Sequence, residues 1–123
     1  MKKLILSIVL VFFTSVIYAD FQSVANIYYK QDYENAFVEF KILAEQGDAK
    51  SQTYLANMYR NGKGVVKNEI LADSWDKKSI AGLKILANNG DSEAQFWYAS
   101  SIEPDEDAEI WYKKSFNGFL AAT

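Results

Sequence analysis

The stretch Lys41-Ile42-Leu43-Ala44-Glu45-Gln46-Gly47-Asp48 returns 43 residues later as Lys84-Ile85-Leu86-Ala87-Asn88-Asn89-Gly90-Asp91. The register holds beyond it, pairing Gln52 with Gln95, Tyr54 with Trp97 and Ala56 with Ala99. A second register of 36 residues aligns Ala72-Asp73-Ser74-Trp75-Asp76-Lys77-Lys78-Ser79 with Ala108-Glu109-Ile110-Trp111-Tyr112-Lys113-Lys114-Ser115, and Gly82 with Gly118. Ala56 to Ala72 spans 16 positions and Ala99 to Ala108 only nine, so the second copy is expected to have lost seven residues from the connection between its helices. A period of this length, rich in Ala, Tyr and Trp and with Gly at the joints, points to stacked helix pairs.

Helical spacing recurs inside each copy. Ala108, Trp111, Tyr112, Ser115, Phe116 and Phe119 form one stripe at 3.6-residue period, as do Ala36, Phe37, Phe40, Leu43 and Ala44. Gly47-Asp48 and Gly90-Asp91 each combine a helix stop with an N-cap, and Asn61-Gly62 closes another helix. Pro104, followed by Asp105, Glu106 and Asp107, marks a helix start with Pro in the first turn and carboxylates at the positive end of the dipole. The expectation is an all-α chain with helices near 22–30, 33–46, 49–60, 69–88, 91–102 and 105–117. Gly82 is where the fourth would break.

Asp32-Tyr33-Glu34-Asn35-Ala36, Leu43-Ala44-Glu45-Gln46-Gly47-Asp48-Ala49, Leu55-Ala56-Asn57-Met58-Tyr59, Gly62-Lys63-Gly64-Val65 and Ala72-x-x-Trp75 together resemble a Sel1-like repeat, a relative of the tetratricopeptide repeat. The resemblance covers about 32–118. It implies an α/α superhelical solenoid with repeats at approximately 32–82 and 83–118. Its structural positions would be Ala36, Ala44, Gly47, Ala56, Gly62, Gly64, Ala72, Trp75, Ala87, Gly90, Ala99, Ala108 and Trp111. It also implies an exported bacterial adaptor or regulator that binds another protein on its concave face. The sequence departs from the pattern in three places. Ala56 stands where the family usually has Gly, Glu103-Pro104-Asp105-Glu106-Asp107 replaces the second Gly-x-Gly-Val loop, and Gly82 to Asn89 inserts one or two extra helical turns.

The N-terminus reads as an export signal. Met1-Lys2-Lys3 is cationic, an apolar run extends from Leu4 to Ile17, and a small residue, Ala19, precedes Asp20 and a polar stretch. Cleavage is expected between Ala19 and Asp20, leaving a domain over 20–123 that is periplasmic or secreted. The alternative, a retained anchor, is disfavoured because the run falls short of the roughly 20 apolar residues that span a bilayer. Losing Lys2 and Lys3 changes the balance from 13 cations against 16 anions to 11 against 16, so net charge moves from −3 to −5. An acidic chain with interspersed lysines offers no concentrated basic face for nucleic acid or anionic lipid.

The chain has no Cys and no His, which removes disulfides, thiol nucleophiles, imidazole bases and the usual zinc ligands. Ser74-Trp75-Asp76-Lys77 is formally Ser-x-x-Lys, yet it lacks the companion motifs of penicillin-recognising enzymes, and Ser74 becomes Ile110 in the second copy. Glu103, Asp105, Glu106 and Asp107 abut rather than alternate as calcium ligands do, so a solvated helix start accounts for them better than calcium or a glycosidase pair. Gly62-Lys63-Gly64 lacks the Gly-Lys-Ser/Thr ending of a phosphate loop. No catalytic residue, metal ligand or cofactor is expected.

The aromatic residues are more informative. Most belong to a core at helical spacing, but adjacent pairs such as Trp97-Tyr98 and Trp111-Tyr112 are about 100° apart on a helix and cannot both face inward. Tyr59, Trp97, Tyr98, Trp111 and Tyr112 are therefore the candidate groove or edge residues. Phe116, Phe119 and Leu120 would be partly exposed, so this end meets a partner, joins a second copy, or is a truncation. The leading expectation is an exported protein-binding module. An immunity or inhibitor protein against an exported toxic enzyme is the alternative, and a cell-wall or lactam hydrolase is a distant third.

Overall fold

A computed structural model describes residues 21–123. The expected signal segment and the Ala19–Asp20 junction lie outside the described residues. The fold is all-α: α1 covers 21–29, followed by α2 (Tyr33–Glu45), α3 (Ala49–Asn61), α4 (Glu69–Asn88), α5 (Ser92–Ser101) and α6 (Glu106–Ala121). No described helix is long and apolar enough to cross a membrane. From α2 onward, each helix packs on its neighbour in sequence.

The repeated octapeptide builds the same joint twice. Gly47 and Gly90 take φ +96° and +95°, which a Cβ would strain, and so turn the chain out of α2 and α4. The next residue caps the following helix: Asp48 accepts from the Ser51 amide at 3.0 Å, and Asp91 from the Ala94 amide at 2.9 Å. One turn on, Gln52 and Gln95 each donate an Nε2 hydrogen bond of 3.1 Å to the Ala44 and Ala87 carbonyls respectively, which the Gly47 and Gly90 amides also reach at 3.1 Å, so both lone pairs of each carbonyl are used. Ala36, Ala72 and Ala108, spaced 36 residues apart, are all buried.

Contacts between equivalent positions join the two copies. Tyr54 and Trp97 meet edge to face with centroids 5.6 Å apart. Lys50 Nζ lies 3.3 Å from Glu93 Oε2, its own counterpart, and 2.7 Å from Asp91 Oδ2. Burial pulls Lys50 down, but the Asp91 hydrogen bond and the two carboxylate charges outweigh it, holding the ammonium above its ordinary value. The outer faces match as well: Lys78 sits 4.4 Å above the Trp75 ring and Lys114 4.3 Å above Trp111.

Three expectations need correction. Helix α4 runs unbroken through Gly82, because this glycine serves packing rather than a bend: a Cβ there would lie 2.6 Å from the Ala49 methyl carbon of α3. The seven missing residues do not come from the connection alone. Helix α3 has 13 residues against ten in α5, the connection shortens from 62–68 to 102–105, and α6 starts one residue nearer Ala108 than α4 does to Ala72. Pro104 stands before the N-cap rather than in the first turn; Asp105 is the cap, accepting from the Ala108 amide at 3.0 Å.

Candidate functional site

Helices α1, α3 and α5 present adjoining faces, and between them and α4 lies a groove of two joined cavities. The larger, about 610 Å³, is lined from α3 by Thr53, Asn57 and Arg60, from α4 by residues including Asp73, Asp76, Ile80 and Leu83, and from α5 by Trp97, Ser100 and Ser101. The smaller, about 230 Å³, is walled by Tyr28, Tyr29, Tyr54 and Trp97. Thr53, Asn57 and Trp97 line both. They sit where the groove changes from charged to aromatic.

The aromatic end is a hydrogen-bonded tyrosine cluster. Tyr29 and Tyr54 hydroxyls are 2.6 Å apart, and Tyr28 donates to Asn57 Oδ1 at 3.3 Å while receiving a bond from Lys63 Nζ at 3.0 Å. Burial, reinforced by the Tyr29 bond, pushes the Tyr54 phenol well above its ordinary 10.0, so it remains a neutral hydroxyl. The Tyr28 bond raises the Lys63 ammonium in turn. At the charged end, Arg60 donates from Nη2 to Asp76 at 2.7 Å and to Asp73 at 3.1 Å, and from Nε to Glu69 at 3.3 Å. The Asp76 bond contributes most to holding the guanidinium above its usual value.

Two donors in the middle are unspent. Asn57 Nδ2 and Trp97 Nε1 have no hydrogen-bond partner among the described residues. The groove therefore offers N–H groups beside an aromatic face, a combination suited to holding an acceptor-bearing ligand.

The five aromatic candidates separate. Trp97 stands in the groove, and Tyr112, exposed, reaches its rim by donating to Ser100 Oγ at 3.3 Å. Tyr98 and Trp111 pack edge to face at 5.6 Å and tie α5 to α6. Tyr59 is not an edge residue: it is 8% exposed, buried because Phe37 of α2 closes over it at 5.4 Å. Sequence reasoning missed Tyr28, Tyr29, Thr53, Asn57 and Arg60. The last three did carry a signal, since spacings of four and three residues put them on one polar stripe of α3.

The other motifs form no reactive arrangement in the described residues. Ser74 and Lys77 are both exposed and share no hydrogen bond. No three His, Cys, Asp or Glu side chains gather there as a metal-holding group. Glu103, Asp105, Glu106 and Asp107 are exposed around the α6 N-terminus. No family model matches the chain, and no curated protein matches it.

Proposed function

We propose that this protein is an exported Sel1-like solenoid module that binds a partner protein in the groove across α1, α3 and α5. The observation that carries the reading is the centre of that groove, where Asn57 Nδ2 and Trp97 Nε1 stand unpaired between a tyrosine wall and a charged wall. Aromatic side chains with a polar tip dominate protein interfaces because they contribute contact area at little conformational cost. Repeated joints at Gly47 and Gly90, equal Gln-to-carbonyl bonds and contacts between equivalent positions support stacked repeats. The apolar run ending at Ala19 supports export and a periplasmic or secreted site of action. On this reading the mechanism is complementarity, with no bond made or broken.

A photo-crosslinking residue placed at Thr53, in the groove, or at Val38, exposed on α2, separates this reading from its rivals. Irradiation of cell envelopes should yield a discrete protein adduct from position 53 and none from position 38. Equal adducts from both positions, or none from 53, would overturn the proposal.

A further inference from the structure

Helix α6 carries an apolar stripe that the described residues leave open to solvent. Tyr112, Phe116, Phe119 and Leu120 fall at i, i+4, i+7 and i+8, share one side of the helix and are all exposed. Phe96 of α5 widens the stripe, its ring 5.7 Å from that of Tyr112. One register earlier the same positions are Asp76, Ile80, Leu83 and Lys84 on α4, with Thr53 of α3 in place of Phe96. There Leu83 is buried in the cluster that joins α3, α4 and α5. The open face is thus more apolar than its covered counterpart: Tyr112, Leu120 and Phe96 stand where the first copy has Asp76, Lys84 and Thr53. A solenoid helix that faces water needs the opposite change, toward polar residues. We infer that this face is an interface between two copies of the chain, with their α6 helices packed antiparallel about a two-fold axis near Phe116.

Area, polarity and charge select a second copy as the occupant. Between 40% and 63% of each of the five side chains is exposed, which at roughly 200 Å² apiece leaves about 500 Å² of apolar surface per copy. Two such faces bury about 1,000 Å² together, the area at which a specific interface begins, and the stems of flanking residues such as Lys113 add to it. Self-pairing sets apolar residues on apolar residues. Stacking end to end, α6 on another copy's α1, would instead set them against Gln22, Asn26 and Lys30, which α1 and its end expose. The flanking charges permit self-pairing, because Glu109 and Lys113 neutralise each other within one helix at 2.8 Å. An antiparallel arrangement also keeps the acidic first turns, with Glu106, Asp107 and Glu109, at opposite ends of the pair, where a parallel one would bring them together. An interface of this size is weak, so the single chain prevails in dilute solution.

The chain has no cysteine of its own, so single substitutions report on the contact directly. In sedimentation velocity of the protein purified from cells, one chain is expected at about 1 µM and two at about 500 µM. Phe116→Lys, which sets like charges across the axis, should weaken that association about tenfold or more. Its position is exposed, so the fold should persist; if circular dichroism shows otherwise, Leu120→Lys carries the test. Under mild oxidation Phe116→Cys should give a two-chain disulfide, and Ile110→Cys, also exposed but on another side of α6, should not. A wild type that stays a single chain throughout, association indifferent to the lysine substitutions, or equal crosslinking from both cysteines would overturn the inference. Neither Phe116 nor Leu120 lines the groove, so such a failure leaves the adduct expected from position 53 untouched.

Discussion

Helices α3 and α4 and helices α5 and α6 are two versions of one helix pair, alike at their joints and different in what covers the second helix. Their joints are interchangeable: Gly47 and Gly90, Asp48 and Asp91, and Gln52 and Gln95 repeat one geometry to within 0.1 Å in the shared cap and carbonyl bonds. Their surroundings are not. Asp76, Ile80 and Leu83 of α4 face the groove and α5, whereas the residues 36 positions on, Tyr112, Phe116 and Phe119 of α6, are exposed. Local chemistry sets the joints, since caps and glycines act within a few residues. Burial depends on what lies alongside. Identical spacing therefore predicts identical helices but not identical energetics.

The sharpest way to break this comparison is to truncate one equivalent pair. Leu83 is 1% exposed inside the cluster that joins α3, α4 and α5, while Phe119 is 48% exposed. Leu83→Ala should lose about 3 kcal/mol in denaturant unfolding, from lost transfer energy plus a cavity. Phe119→Ala should lose less than about 1 kcal/mol despite its larger side chain. Equal losses would show that α6 is covered as α4 is.

A smaller difference is expected at the two packing glycines. A methyl group on Gly82 meets the Ala49 methyl carbon at 2.6 Å, which cannot rotate away, whereas on Gly118 it meets the Ser92 hydroxyl, which can, and then the Ser92 Cβ at 3.0 Å, which must give only slightly. Gly82→Ala should destabilise by about 1–2 kcal/mol, overpacking outweighing the gain in helix propensity, and Gly118→Ala should cost less than Gly82→Ala. Thermal unfolding of the two variants checks the order.

The smallest effect belongs to the ion pair between the copies. Lys50→Met should cost about 0.5–1 kcal/mol at neutral pH. The folded-state value of Lys50 lies above the unfolded 10.5, so its contribution is fully present below 10.5 and is lost as pH rises through the folded value. Wild type and Lys50→Met should therefore converge in stability above pH 10.5, as measured by urea unfolding across that range; a constant gap would contradict the linkage.

Much of this fold is legible in the sequence, because its helix boundaries are written in short-range chemistry. Gly-Asp, Asn-Gly and Pro-Asp steps place most helix ends within a residue or two, and the two registers identify the joints before any contact is known. The groove is less legible. Trp97 could be named from its awkward adjacency to Tyr98, but Tyr59 is equally aromatic and is buried by Phe37, a contact that helical spacing alone does not reveal. Thr53, Asn57 and Arg60 look like any solvated stripe until residues of α4 and α5 line the same groove. Gly82 reads as a helix breaker in one dimension and as a contact in three.

The most direct test of partner binding uses the protein's three tryptophans as built-in reporters. Trp97 lines the groove, while Trp75 and Trp111 lie beneath Lys78 and Lys114 elsewhere on the molecule. In a spectrum of nitrogen-15-labelled protein, the partner trapped from position 53 should shift the Trp97 indole N–H resonance and leave those of Trp75 and Trp111 in place. A stationary Trp97 with either of the other two displaced would contradict the account.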